Sequence, residues 1–300
     1  MTLMLLDSGS LWYRAFYGMP DSLVAPDGTP VNAIRGYLDM SARLISMYRP
    51  KRLVACLDGD WRPTWRVELF PEYKANRLEA DGEGEEEPDL LTPQIPILLD
   101  VLDAFGIPIV GADDYEADDV MATYAVKEPG PIRIVTGDRD LFQLVKPDPD
   151  VQVIYLARGI SNHDLVNQDW IAKKYEIPGD RYGLFATFRG DASDGLPGVK
   201  GIGEKGAALI ARHYATAEDA IAGALAGHEH LTAGLRKKII EGQGYLSFAP
   251  KLVACATDVP LPKVDLSLPK KPTSMEQIHE LQEKYGLGAS VDRLISALNW

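Results

Sequence analysis

Nine carboxylates in this chain stand where metal-assisted chemistry would want them. Asp7, Asp58 and Asp138 each follow a short apolar run, at residues 3–6, 52–57 and 132–135. Asp140 comes two residues after Asp138, in the turn that opens the next helical stretch. Glu116, Asp118 and Asp119 open another helix, which continues through Met121, Tyr124 and Ala125. Asp191 and Asp194 lie in the loop GDASDGLPG. So many acids cannot crowd together without cations, and oxygen-only donors suit hard ions such as Mg²⁺ or Mn²⁺. Two such ions about 4 Å apart serve in-line hydrolysis of phosphodiesters. Taken singly, each acid has a plainer use. Acids at a helix N-terminus cap it and favour its dipole, and Asp with Gly makes turns. On the helix at 116, Glu116 and Asp119 share a face, and Asp118, about 100° away, can border the same cleft. Asp113 and Asp114 are candidates for the cap.

Charge bears on the same question. The 31 Lys and Arg against 44 Asp and Glu give −13, which taken alone argues against a nucleic-acid partner. The nine acids account for most of that excess, so the acidity belongs largely to one site. The five histidines, at 163, 213, 228, 230 and 279, are scattered and read as structural or surface groups. With Cys56 and Cys255 the only cysteines, neither a zinc site nor a disulfide framework is expected, which suits a reducing cytoplasm.

Two further elements carry positive charge or backbone donors. In DWRPTWRVELFPEYKANR (60–77), Arg62, Arg66, Lys74 and Arg77 interleave with Trp61, Trp65, Phe70 and Tyr73. Cations for phosphates and ring faces for bases are what single-stranded nucleic acid needs; an amphipathic helix with buried aromatics is the alternative. Tyr13 and Arg14 add another such pair close after Asp7. The turn Gly198-Val199-Lys200-Gly201-Ile202-Gly203 precedes a helix carrying Lys205. Glycines there let N–H groups approach a phosphate at a helix N-terminus. No GK[ST] ending and no preceding strand accompany it, so it is neither a Walker loop nor a dinucleotide fingerprint.

The elements that must position these groups follow from the apolar pattern. Strands at 3–6, 52–57, 107–110, 132–135 and 151–156 alternate with helical periods such as Ile34, Tyr37, Leu38, Ser41, Leu44, Ile45 and Tyr48. That alternation predicts an α/β fold, a mostly parallel central sheet flanked by helices. The carboxyl ends of parallel strands share one edge, where ligands bind, so Asp7, Asp58 and Asp138 should converge. Beyond residue 160 the strand signal stops. Residues 164–175, 207–214, 217–226 and 235–242 read as helices of a second lobe. Four prolines over 257–273 predict an extended linker, followed by helices at 275–285 and 291–298. The stretch EADGEGEEEPD (79–89) reads as a mobile acidic excursion. No apolar run reaches membrane-span length, and the start lacks the basic region of a signal peptide.

Six motifs in order resemble the bacterial 5′-nuclease family, which comprises flap endonucleases and the 5′-nuclease domain of DNA polymerase I. They are Asp7 with Tyr13-Arg14-Ala15-Phe16, Ala55-Cys56-Leu57-Asp58, Tyr73-Lys74-Ala75-Asn76-Arg77, Tyr115-Glu116-Ala117-Asp118-Asp119-Val120, Thr136-Gly137-Asp138-Arg139-Asp140 and residues 190–206. The resemblance implies a PIN-like catalytic core over 1–160 with a helical arch near 70–100. It implies a helix–three-turn–helix lobe over 161–255; beyond its reach, the proline-rich linker and C-terminal helices over 256–300 are expected to pack back on the core. The implied activity is 5′→3′ exonuclease and structure-specific flap endonuclease, with two divalent ions, Mg²⁺ or Mn²⁺. In that pattern Asp7, Asp58, Glu116 and Asp118 mostly hold the first metal. Asp138, Asp140, Asp191 and Asp194 serve the second, with Asp119 nearby. Lys74 contacts the scissile phosphate with help from Arg77 and Arg14, and Tyr73 stacks on the base at the cut. Gly198, Lys200, Gly201, Gly203 and Lys205 hold the duplex backbone, with K⁺ on the turn carbonyls. The implied substrates are branched or flapped duplex DNA and RNA-primed DNA with a 5′ end. Implied protein partners are a replication polymerase, a ligase or a sliding clamp, acting on a monomeric cytoplasmic protein at the bacterial nucleoid. Arg139 stands where Lys is common, and the acidic 79–89 stretch makes the arch unusually negative. With no polymerase domain after Trp300, the chain reads as a stand-alone nuclease. Two other readings compete, a different enzyme on a similar sheet and a non-catalytic binder. A phosphatase of the haloacid-dehalogenase type would want an Asp at position 9, which is Gly9, and a PIN-like ribonuclease would lack the 198–203 lobe. A non-catalytic binder of branched DNA would not need all nine acids.

Overall fold

The computed structural model describes residues 1–79, 84 and 88–300. Among these, six strands form one sheet: β1 (Leu3–Asp7), β2 (Arg52–Cys56), β3 (Ile109–Val110), β4 (Ile132–Thr136), β5 (Val151–Tyr155) and β6 (Asp164–Val166). Their order across the sheet is β3-β2-β1-β4-β5-β6. The first five are parallel, with Asp7 opposite Cys56 and Leu6 opposite Val135. β6 runs antiparallel to β5 along the outer edge. The chain winds outward from β1 in one direction through β2 and β3 and in the other through β4 and β5. The reversal lies between β1 and β4, the place where open α/β sheets take their ligands.

The helices are α1 (Ser8–Gly18), α2 (Asn32–Tyr48), α3 (Thr64–Leu69), α4 (Gln94–Ala104), α5 (Ala117–Lys127), α6 (Gln168–Tyr175), α7 (Tyr182–Arg189) and α8 (Glu204–His213). They continue as α9 (Ala217–Ala226), α10 (Ala233–Glu241), α11 (Gln243–Leu246), α12 (Ala249–Val253), α13 (Met275–Lys284) and α14 (Ala289–Leu298). Every residue of β1 is buried. Because side chains alternate across a strand, Leu3 and Leu5 join one apolar cluster and Met4 and Leu6 the other. The first cluster carries α5, α7 and α8; the second carries α1, α2, α4 and α14. A central strand covered on both faces reads as an unbroken apolar run, and Asp7, itself buried, ends that run at the carboxyl edge of the sheet.

Residues 164–175, expected to be one helix, divide at Asn167. Asp164–Val166 pairs with β5, and the Asn167 side chain accepts the Trp170 N–H at 2.8 Å to start α6. The sheet therefore extends past residue 160. Phe185, Phe188, Val199 and Ile202 enter the same cluster as Leu3 and Ile134, so the helices after 176 share the sheet's apolar core. The proline-containing segment returns alongside β2: Leu53 N–H donates to the Leu266 carbonyl at 2.8 Å and Leu268 N–H to Lys51 at 2.9 Å. Ile278, Val291 and Leu294 bury against the α2 side of the sheet, and Arg293 pairs with Asp39 at 2.8 Å.

The histidines are less scattered than expected. The His213 and His230 rings stack at 4.0 Å, and the Tyr214 hydroxyl lies 2.9 Å from His228 Nδ1 and 3.0 Å from His230 Nε2. Most of the acidic 79–89 stretch lies outside the described residues. No helix among the described residues is long and apolar enough to cross a membrane.

Candidate active site

The parallel register delivers the first acids. Asp7 ends β1, Asp58 follows β2, and Asp138 follows β4, all at one edge. Asp7 is fixed twice: its Oδ1 accepts Ser10 N–H at 3.0 Å and its Oδ2 accepts the Thr136 hydroxyl at 2.6 Å. The Thr136 oxygen in turn accepts Asp138 N–H at 2.8 Å, so one hydroxyl sets both aspartates. Asp58 Oδ1 accepts Ala117 N–H at 2.7 Å, which docks the start of α5 beside β2. Gly59 makes that approach possible, since a Cβ there would lie 1.9 Å from the Ala112 carbonyl oxygen.

On α5 the structure separates Asp118 from Asp119, both expected at the metal site. Asp118 lines the cleft with Glu116. Asp119 is fully buried and faces away, receiving both terminal nitrogens of Arg66 at 2.7 Å and Ala256 N–H at 2.7 Å. It also accepts Glu116 N–H at 3.2 Å as the N3 half of a capping box, so Glu116, not Asp113 or Asp114, is the N-cap of α5. Glu116 shares the Arg66 guanidinium at 2.7 Å. Asp119 is thus a structural anchor, and Arg66 is its buried partner, not a phosphate contact. Arg62 is likewise turned inward, donating to the carbonyls of Tyr73 and Pro71.

Lys74 and Asp194 arrive from distant segments that seat on each other. Gly195, at φ +71°, brings its loop so close that a Cβ would lie 2.6 Å from the Glu72 carbonyl oxygen. Lys74 N–H donates to the Asp194 carbonyl at 2.9 Å. The Lys74 ammonium pairs with Glu116, and Arg77 pairs with Asp194 at 2.7 Å. The resulting cleft is lined by Asp7, Asp58, Glu116, Asp118, Asp138 and Asp194 against Lys74 and Arg77.

That imbalance shows in the acidities. Burial, helped by Asp58 and Asp138, pushes Asp7 up to about 7 against the pull of its hydrogen bonds from Thr136 and Ser10. Burial and the charges of Asp138, Asp7 and Glu116 raise Asp118 well above the usual carboxylate range. Asp194 is pushed up to about 6, chiefly by burial, although Lys74 and Arg77 oppose it. Burial works against the Lys74 ammonium, but Glu116 and Asp194 outweigh it and hold its proton more tightly. An all-oxygen donor set with surplus negative charge fits hard divalent cations. As the side chains stand, no three His, Cys, Asp or Glu among the described residues draw tightly enough together to hold an ion. Glu116 and Asp194 are instead turned to Lys74 and Arg77.

The other expected residues fall beside the cleft. Asp140 and Asp191 do not line it. Asp140 is raised well above its ordinary value by burial and by Asp138, Asp194 and Asp191, while Asp191 is held by Arg189 at 3.2 Å and Ser193 N–H at 2.9 Å. These two adjoin the Asp138–Asp194 side of the cleft. Arg14 stands behind the turn after β4, where a Cβ on Gly137 would come within 2.9 Å of its guanidinium. Tyr73, expected to stack on a base, is buried against Leu196 and Leu252, and its hydroxyl donates to Glu116 at 2.8 Å. In the 198–203 turn, Lys200, Gly201 and Gly203 are exposed, Lys205 follows at the start of α8, and Gly198 and Gly201 adopt φ of +65° and +77°. The Gly201 carbonyl accepts the Lys238 ammonium at 2.7 Å, so the chain itself supplies a cation to the turn. The sequence named Thr136 and Arg66 but not their roles as the hydroxyl that holds Asp7 and the buried partner of Asp119. Thr136 carries the signal of a hydroxyl at a strand end; Arg66 carries none.

Comparison with known proteins bears on the family and the fold. The profile of the 5′-3′ exonuclease N-terminal resolvase-like domain matches residues 2–176, and that of the 5′-3′ exonuclease C-terminal SAM fold matches residues 177–276. A 5′-3′ exonuclease of Streptomyces coelicolor is 48% identical over 299 residues, covering 98% of this chain and 99% of the relative. A DNA polymerase I of Mycobacterium bovis is 34% identical over 99% of this chain and 32% of its own length. The fold also matches the flap endonuclease D15 of bacteriophage T5, solved with DNA and metal ions. There the TM-score is 0.64 at 19% identity, covering 100% of this chain and 97% of that one.

Proposed function

The chain belongs to the 5′-3′ exonuclease family, and on that premise we propose that it is a metal-dependent nuclease for the 5′ ends and 5′ flaps of branched DNA. The observation that carries this reading is the gathering of six carboxylates, Lys74 and Arg77 at the reversal point of the sheet. Asp7, Asp58, Glu116 and Asp118 would hold one divalent ion, and Asp138 and Asp194, adjoined by Asp140 and Asp191, a second. Such ions, Mg²⁺ or Mn²⁺ in this reading, neutralise charge on the phosphate and acidify water. Thr136 and Ser10 keep Asp7 and Asp138 oriented, so the donors need no rearrangement of the strands. Lys74 and Arg77 are the cations that line the cleft with those acids and would face a phosphate drawn to it. The exposed 198–205 turn, with Lys200 and Lys205, would track the duplex backbone. Because the Gly201 carbonyl already accepts Lys238, K⁺ is given no part in this reading.

The DNA polymerase I relative suggests a setting in replication and repair, with flaps and RNA primers as natural substrates. A cytoplasmic monomer working at the nucleoid beside a polymerase, ligase or sliding clamp completes the proposal. The test is a 5′-labelled double-flap duplex incubated with Mg²⁺, with Mn²⁺ and with EDTA. The expected result is a metal-dependent cut near the junction that Asp138→Asn abolishes while DNA binding survives. Binding without a cut in either metal would refute the nuclease reading.

A further inference from the structure

A second hollow lies on the far side of the turn that carries Asp138. Its volume of 610 Å³ falls within the range of ligand sites. Arg139, Arg158, Lys173 and Lys174 border it, and Tyr155 and Trp170 line it. The acid at its rim, Asp164, is neutralised by Arg158 at 2.8 Å. The side chains of Arg139, Lys173 and Lys174 make no hydrogen bond or ion pair among the described residues, and all three residues are exposed. Arg139 instead sits among Tyr155, Tyr175 and Tyr182. Tyr155 and Trp170 both pack edge-on against Phe142, at 5.0 and 5.6 Å, which fixes them while part of each ring stays open to the hollow. Cations without partners above an aromatic floor are the two parts of a single-strand site: charge for the backbone and ring faces for bases. A duplex keeps its bases inside and could use only the charge.

We propose that this hollow is a binding subsite for an unpaired segment of the substrate, with its phosphates at Arg139, Lys173 and Lys174 and a base against Trp170 or Tyr155. The proposal rests on the nuclease reading for its place in the reaction. Asp138 lines the cleft and Arg139 the hollow, so the two are separated by a single residue step and a strand passing Asp138 meets the hollow next. The same turn would then orient the cut and grip the strand beside it.

The experiment measures binding of a fluorescein-labelled ten-nucleotide dT strand and of a blunt duplex, both in EDTA and over a range of salt. Lys173→Ala with Lys174→Ala should weaken the dT strand on the order of tenfold at 0.1 M salt and lower its salt slope by about 1.4, two single-strand phosphate contacts. Blunt-duplex affinity should stay within twofold. Trp170→Phe, which keeps a ring against Phe142, should lose part of the tryptophan quenching that the dT strand causes. Unchanged dT binding, or equal losses for strand and duplex, would overturn the subsite. Equal competition by dTMP at the same nucleotide concentration would replace the strand with a mononucleotide and overturn it too. Because no cleavage is read, failure here leaves the nuclease reading standing, and failure of the flap assay leaves this measurement interpretable.

Discussion

Asparagine at position 119 and asparagine at position 118 should have opposite consequences, although the two aspartates are neighbours in one motif. Asp119 receives four donors: two from Arg66 at 2.7 Å, Ala256 N–H at 2.7 Å and Glu116 N–H at 3.2 Å. Asparagine keeps one acceptor oxygen, turns an NH₂ toward a donor, and leaves Arg66 buried with only Glu116. Breaking a buried pair from one side costs about 3–5 kcal/mol. Glu116 remains 2.7 Å from Arg66, so the loss should lie at the lower end, about 3 kcal/mol. At about 2 °C per kcal/mol for a chain of this size, Asp119→Asn should melt roughly 6 °C below the parent. Asp118→Asn removes a charge that burial and three neighbouring acids disfavour, so its melting point should hold or rise while cleavage collapses. The assay pairs thermal unfolding by circular dichroism in EDTA with the Mg²⁺ concentration giving half-maximal cutting well below either melting point. An Asp119→Asn protein that melts with the parent but needs far more Mg²⁺ would refute the division of roles.

Three other outcomes are expected. Asp7 and Asp194 titrate near 7 and 6 in the folded chain, above the ordinary 3.8, so folding binds their protons and stability declines as they ionise. In EDTA the melting temperature should therefore fall from about pH 4 to about pH 7 and then level off, less steeply in Asp7→Asn; equal slopes in the two proteins would contradict this. Gly195→Ala places a side chain at positive φ, costing about 1–2 kcal/mol, and pushes on the Glu72 carbonyl, so both melting temperature and cutting should drop; parental activity would show that the seam does not position Lys74. Lys200→Ala should weaken duplex binding and reduce its salt slope by about 0.9, one phosphate contact, and an unchanged slope would assign Lys200 elsewhere.

Much of this site could be read from the sequence because its main acids interrupt apolar runs. Asp7, Asp58 and Asp138 end strands covered on both faces, where a charge is tolerated only at the exit. Parallel pairing then brings those exits to one edge, so the convergence follows from the pattern alone. The choice between Asp118 and Asp119 did not follow, because helical phase fixes their angular separation but not which side meets the cleft. Arg66 decided that, and in an amphipathic stretch a buried cation looks like an exposed one. β6 escaped because three residues at a sheet edge, Asp164, Leu165 and Val166, are too few to establish alternation. The histidine group escaped because residues 213, 228 and 230 meet only when α8 and the segment after α9 fold together. The pairing of Arg77 with Asp194, and the seating of Lys74 on that same loop, depend on a segment more than a hundred residues away.

That last distance has a temporal consequence. The cleft is sewn together by contacts of very long sequence separation: Asp7 to Thr136 spans 129 residues and Arg77 to Asp194 spans 117. Closing such loops precedes any energetic return, so these contacts belong to the late stages of folding. A growing chain emerges from its N-terminus at about 5–20 residues per second, and β1 to β4 can pair before residue 194 exists. Such an intermediate would hold Asp7, Asp58, Glu116 and Asp138 without Asp194 and without the loop that seats Lys74. A half-made chain on the ribosome would therefore be a poor cutter of the nucleic acid around it, and activity would arrive only with the segment that closes the seam.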